Sequence, residues 1–177
     1  NLIFNNIRIN PIVYRLYKYL KDIEYDCYLV WPDAGGAALA KRDMPDISKN
    51  IFSYSDFIKQ INFNENNKLL IAIAPQPPDY NEFQEICFSY QGNILMFNGK
   101  LEDSAIGIGT IGRERRKEFI YSWKQVFWLQ PISNGAIMKE YNQNWILFKL
   151  YQKGYKFCTK FENKPDEETI NTALQSL

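Results

Sequence analysis

Asp33 is the first residue whose setting could do chemistry. It follows an apolar run, Cys27-Tyr28-Leu29-Val30-Trp31, and Pro32, and it precedes Gly35-Gly36 and an Ala-rich helix starting at Ala37. A strand that enters a helix through glycines gathers free backbone N–H groups and the positive end of a helix dipole at one point. Such a point holds an anion or offers a backbone-rich docking edge. Two more apolar runs end in polar residues: Leu69 to Ala74 before Pro75-Gln76-Pro77-Pro78, and Ile94 to Phe97 before Asn98-Gly99. In open α/β sheets, ligands lie beyond the carboxyl ends of the strands. Asp33, Gly35, Gly36, Gln76 and Asn98 therefore form one candidate ligand-binding set. Arg113, with Arg115 and Arg116, would add positive charge for a phosphate or carboxylate. The competing reading is that Pro-Asp, Pro-Gln and Asn-Gly are ordinary turn residues and that arginines on a helix face solvent. On that balance Asp33-Ala34-Gly35-Gly36 is first a structural pivot of the sheet and second a ligand site.

Other chemistry is poorly supplied. The chain has no His, which removes Ser-His-Asp and Cys-His arrangements and the usual zinc ligand sets. Cys27, Cys87 and Cys158 are far apart within apolar patterns, as buried reduced thiols are. Gly107-Ile108-Gly109-Thr110-Ile111-Gly112 matches the dinucleotide fingerprint, but a polar loop from Asn98 to Ser104 separates it from the strand it needs. A loop capping a helix at Arg113 is the better reading. No Walker pattern is present. Glu82 with Glu85, and Glu114 with Glu118, read as surface charges on helices. No catalytic residue, metal ligand or cofactor is assigned.

The elements that must position these residues follow from periodicity. Asn10-Pro11 reads as the cap and first turn of a helix ending near Glu24, with Ile12, Leu16, Leu20 and Ile23 inward and Val13, Tyr17 and Tyr19 widening the stripe. The strand from Cys27 to Trp31 and the glycine-led helix follow, and Pro45 closes that helix. Ser53 to Ile61 is a short helix with Phe57, Ile58 and Ile61 inward. After the second apolar run, Asp79 or Asn81 caps a helix through Tyr90 that buries Phe83, Ile86 and Cys87. Unbroken apolar strands separated by helices argue for a parallel sheet covered on both faces.

The pattern then changes. Arg113 to Gln125 reads as a helix with Phe119, Ile120 and Trp123 on one face. Four strands follow, Val126 to Ile132, Ala136 to Tyr141, Trp145 to Tyr151 and Tyr155 to Phe161, joined by turn-rich connections. Pro165-Asp166-Glu167-Glu168 starts a last helix with Ile170, Ala173, Leu174 and Leu177 on its apolar face. The expected fold is one α/β domain over residues 1–177: a Rossmann-like three-layer core with parallel strands (1–112), then a helix, an antiparallel meander and a final helix (113–177).

Composition narrows the function classes. With 46% hydrophobic residues, 24 Phe and Tyr and 4 Trp, the chain carries enough apolar area for a core. A net charge of +1 gives no field to recruit nucleic acid. No apolar run reaches the roughly 20 residues of a transmembrane helix. The start lacks both a signal-peptide pattern and Met, as a truncated or processed form would. The aromatics Phe127, Trp128, Tyr141, Trp145, Phe148, Tyr151, Tyr155, Phe157 and Phe161 exceed what one side of a small sheet buries. Either some form an exposed protein-binding surface or helices cover both faces; both readings stay open.

The ordered segments WPDAGGAALAKRD, LLIAIAPQ, ILMFNGKLED, IGIGTIGRERR and GAIMKEYNQNWILF span the chain from about Asn10 to Leu177. In this order they resemble a domain-of-unknown-function family of cyanobacteria and plastids. That family includes low-photosystem-II-accumulation factors and the C-terminal extension of some plastid adenylate kinases. The resemblance carries no catalytic residue, and this chain has no kinase motif. It implies a setting in the plastid (chloroplast) stroma, peripheral to the stromal face of the thylakoid membrane through protein partners. It implies a non-enzymatic accessory or assembly protein docking on photosystem II, with photosystem II or antenna proteins as partners. The alternatives are a structural linker between a light-harvesting antenna (phycobilisome) and a photosystem, and a small anion or nucleotide binder using the strand-end crevice. A bias toward Asn, Ile, Tyr, Phe and Lys agrees with an AT-rich organelle gene.

Overall fold

The computed structural model describes residues 9–60, 67–101 and 110–175. Two compact units divide the chain at Ile120 and Tyr121.

The first unit is a parallel sheet. Strands β1 (Cys27–Trp31), β2 (Ile51–Ser53), β3 (Leu69–Ile73) and β4 (Ile94–Phe97) lie in the order β2-β1-β3-β4. Leu29 pairs with Ile51 on one side and Ile71 on the other, and Ile71 pairs with Leu95. Successive side chains alternate between faces, so each apolar run feeds two cores. On one face Cys27, Leu29, Trp31, Ile51, Ile71 and Ile73 pack with Val13 and Tyr17 of α1 (Ile9–Asp22) and with Ala37 and Ala40 of α2 (Ala34–Asp43). On the other, Tyr28 and Phe52 meet Phe57 of α3 (Tyr54–Gln60), and Phe57 meets Tyr90 just after α4 (Tyr80–Ser89). A sheet buried on both faces between helices is the reason its strands read as continuous hydrophobic runs. Helix α5 (Thr110–Tyr121) joins α4: Phe119 lies edge-on to Tyr80, Phe83 and Phe88, and Arg116 sits over the Tyr80 ring and donates to Asn81.

The second unit is an antiparallel meander. Strands β5 (Phe127–Ile132), β6 (Gly135–Glu140), β7 (Trp145–Tyr151) and β8 (Gly154–Phe161) pair in sequence order, and α6 (Glu167–Gln175) follows. Asn134 (φ 64°), Asn142 (φ 58°) and Gly154 (φ 126°) take the left-handed backbone in the turns. The expected parallel core, meander and final helix are therefore present.

Several local expectations change. Asn10 does not cap α1. It lies inside the helix and donates to Asp43 at the end of α2. The buried stripe of α1 is Val13 and Tyr17, whereas Ile12, Tyr19 and Ile23 are exposed and the helix stops at Asp22. The helix after β1 starts at Ala34, so both glycines stand in its first turn rather than in a loop. Strand β2 is a fourth parallel strand that the sequence reading left out, and α3 begins only after it. In α4 Phe83 and Ile86 are buried while Cys87 is half-buried. Helix α5 takes in Gly112 and ends before Trp123. Gly107 to Gly109, Ile61 and Leu177 lie outside the described residues.

Candidate functional site

The strand order locates a switch point. From β1 the chain passes to β2 on one side, then returns to β3 on the other, so the loops after β1 and β3 diverge. In such sheets this divergence opens a crevice at the carboxyl ends of the strands. A cleft of about 400 Å³ lies there, and Trp31, Asp33, Ile73, Ala74, Gln76 and Asp79 are among its lining residues.

Asp33 and Gln76, read from sequence as site residues, thus share one cleft. Each is already engaged. Asp33 is the N-cap of α2, and its Oδ1 accepts the Gly36 N–H at 2.8 Å. A Cβ on Gly36 would stand 3.0 Å from the Trp31 ring, and one on Gly35 would stand 3.0 Å from the Asp33 carboxylate. The glycines let Trp31 and Asp33 close onto the first turn of the helix. The carboxylate sits where an anion would sit. Across the cleft, Asp79 accepts the Gln76 N–H at 2.8 Å, and Gln76 Nε2 donates to the carbonyls of Ala74 and Pro75. Ala74 holds a left-handed backbone (φ 48°) as its N–H reaches the Phe97 carbonyl at 2.7 Å. Among the described residues the lining carries two carboxylates and no cation, an electrostatic setting that opposes a phosphate. Asn98 ends β4 in the left-handed region (φ 55°), exposed and outside the cleft lining. Arg113 stands in the first turn of α5, and its side chain is outside the described residues.

Burial disfavours the thiolate form of Cys27 and Cys87 in this unit. Burial pushes Cys27 up to about 11 and Cys87 up to about 12, which suppresses the thiolate. Among the described residues no cluster of His, Cys, Asp and Glu could hold a metal ion, and no helix is long and apolar enough to cross a membrane.

The second unit presents a different surface. Its pairing register sorts side chains onto two faces. One face holds Ile137, Trp145 and Leu147, all buried, with Trp128 against Trp145 and Leu174 of α6 buried in the same unit. Lys149 Nζ and the Cys158 thiol donate to the carbonyls of Leu174 and Ala173 and so tie α6 to the sheet. The opposite face runs Leu129–Met138–Ile146–Lys160 in one row and Pro131–Ala136–Phe148–Phe157 in the next. Phe127 and Glu140 precede these rows, and Leu150 and Tyr155 follow them. Phe127, Leu129 and Phe157 are each 57% exposed, Tyr155 53% and Leu150 49%. Of the sequence-picked aromatics, Trp145 is buried, whereas Phe127, Tyr141, Tyr151, Tyr155 and Phe157 are exposed. The sequence reading missed Leu129, Met138, Ile146 and Leu150, whose shared face follows from strand alternation once the register is known.

The model of a family described as a domain of unknown function (DUF1995) matches residues 9–172. The chain belongs to that family. The match takes in both sheets, so the DUF1995 domain spans the parallel unit and the meander alike. No curated protein and no solved structure matches the chain.

Proposed function

We propose that this DUF1995 domain is a non-enzymatic accessory or assembly protein that docks on a partner protein through the apolar face of its antiparallel sheet. The partner, following the family resemblance, is the stromal side of photosystem II. The setting is the plastid stroma, peripheral to the thylakoid membrane. The observation that carries the docking reading is the row-by-row apolar face formed by Phe127, Leu129, Phe148, Leu150, Tyr155 and Phe157. Exposed apolar area of this continuity marks interaction surfaces. The strand-end cleft supports an anion or nucleotide ligand less well, because Asp33 and Asp79 already take the N–H groups an anion would use.

The test is cross-linking and co-fractionation from thylakoid membranes carrying the wild-type chain or Leu129→Glu. Photosystem II contacts that disappear in the variant support the proposal. A wild-type chain found only in the soluble fraction, with no photosystem or antenna contacts, ends it. Stoichiometric retention on mature antenna–photosystem assemblies, rather than substoichiometric presence on unfinished ones, replaces the assembly role with the linker role.

A further inference from the structure

Helix α1 carries more apolar surface than its sheet covers. Val13 and Tyr17 are buried against the parallel sheet, and Leu16 and Leu20 pack partly against the same core. Ile12, Tyr19 and Ile23 are left 46%, 63% and 46% exposed. The Ile23 N–H still reaches the Tyr19 carbonyl at 3.3 Å, so the helical path extends through the last of them. Along the chain, Ile12, Leu16, Tyr19 and Ile23 are spaced by four, three and four residues. That alternation is the seam of a two-helix coiled coil, where apolar residues meet those of a second helix. A helix that only covers a sheet keeps polar residues outside its buried arc.

The charges beside the seam indicate which helix fits. Leu16 and Ile23 take the a positions and Ile12 and Tyr19 the d positions. Val13 and Leu20 then stand at e, toward the sheet, and Arg15 and Asp22 at g, on the open side. Arg15 and Asp22 are both exposed, and neither has an ion pair among the described residues. On one helix they are about 10.5 Å apart along the axis, too far to pair with each other. Lys18, one turn before Asp22, has its Nζ over the Tyr14 ring at 4.4 Å instead. A second α1 laid antiparallel sets Ile12 against Ile23 and Leu16 against Tyr19, each contact occurring twice by symmetry. In that register g positions face g positions, so each Arg15 meets the Asp22 of the other copy. A parallel pairing sets Arg15 against Leu20 and leaves both charges unmatched. The face is therefore self-complementary in one direction, as an isologous contact requires. Val13 and Tyr17 point roughly 100° and 140° away from Ile12 around the helix, so the two sheets do not stand between the paired helices.

We propose that α1 pairs with α1 of a second copy of this chain, antiparallel and about a two-fold axis. Ile12, Leu16, Tyr19 and Ile23 form the contact, and two Arg15–Asp22 ion pairs fix its register. This goes beyond the docking function and uses the parallel unit, so neither reading depends on the other.

The test is sedimentation velocity of the full chain at low ionic strength over about 1 to 500 µM, since four seam layers make a small interface and a reversible dimer. A concentration-dependent monomer–dimer equilibrium is expected. Arg15→Glu and Asp22→Arg, each alone, put like charges across the seam and weaken the dimer by at least about ten-fold while leaving the melting temperature in place. Mixed in equal amounts, the two variants complement each other at both ion pairs and recover the wild-type affinity. Tyr19→Glu abolishes the dimer, because it puts a charge into the middle of the seam. Leu129→Glu, the variant that tests the apolar sheet face, leaves it unchanged, so failure of either proposal is seen separately. A chain monomeric throughout the range, single charge variants that dimerise like wild type, or a mixture no tighter than its components would overturn the proposal. A dimer lost in Leu129→Glu would overturn it too, in favour of self-association through the open sheet face.

Discussion

Asp33 shows how one residue type serves two readings. A short acidic side chain before a glycine-rich helix start is what an N-cap needs, and it is also what the rim of an anion cradle contains. Only the position of the carboxylate separates them, and here Oδ1 holds the Gly36 N–H. Asp33→Ala is therefore expected to lower stability by about 0.5–2 kcal/mol in denaturant unfolding, and Asp33→Asn to recover most of it. An Asp33→Ala chain as stable as wild type would show the cap to be idle. Tyr54 makes the converse case. It is fully buried and stacked on Phe83, and among the described residues its hydroxyl has no hydrogen-bond partner. A buried unsatisfied hydroxyl costs stability. Tyr54→Phe is expected to leave stability unchanged or raise it by up to about 1 kcal/mol. A clear loss on this substitution would mean that the hydroxyl has a partner in solution. Nothing in the sequence distinguishes Tyr54 from the other tyrosines; its burial comes from α4 and the sheet.

Among elements, legibility tracked how much of the local pattern the fold uses. β1 and β4 have the expected bounds and β3 ends one residue early, because both of their faces are packed and their residues form unbroken apolar runs. The meander strands were bounded by Asn and Gly turns. β2 escaped notice because three residues make no run, and its pairing with β1 supplies what its length does not. Of the α1 stripe, Leu16 and Leu20 pack against the core beside the buried Val13 and Tyr17, whereas Ile12, Tyr19 and Ile23 at its margins are exposed. The two faces of the meander carry similar residue types, so which is covered could not be read without α6. That difference is measurable. Leu147→Ala, on the covered face, is expected to cost about 2–5 kcal/mol, whereas Leu129→Glu, on the open face, stays within about 0.5 kcal/mol. Comparable losses at both positions would mean that the open face is packed in solution. Gly135→Ala belongs with the first class, since its new Cβ would meet the Phe148 carbonyl at 2.3 Å.

For the whole molecule, the balance of charge is close to neutral, and the large proton-linked terms come from buried neutral groups. In the parallel unit, burial raises Cys27 to about 11, Cys87 to about 12 and Tyr90 to about 12, and it raises Tyr54 as well. An unfolded chain releases these protons near the ordinary values of 9.0 for a thiol and 10.0 for a phenol. The folded chain keeps them longer, so between those values it binds more protons than the unfolded one. Stability then falls as pH rises. The contribution is complete below pH 9 and is lost progressively toward 11 and 12. On the acid side the sign reverses: hydrogen bonds from Lys21 to Asp26 and from Thr169 to Asp166 hold these carboxyls below their ordinary 3.8, so their support is present above that value and fades as pH falls. Both are surface groups, and their share is small. Thermal unfolding followed from pH 6 to 11 should therefore give a plateau up to pH 9 and a steep decline beyond it. Replacing Cys27 and Cys87 together with Ala should shallow that decline by removing two of the groups that cause it, though cavities lower the plateau itself. Iodoacetamide at pH 8 should leave both thiols unmodified in the native chain and alkylate them once it is unfolded. Rapid native alkylation, or a melting temperature flat to pH 11, would show that these side chains reach water and that the two-faced core around the parallel sheet is looser than its packing implies.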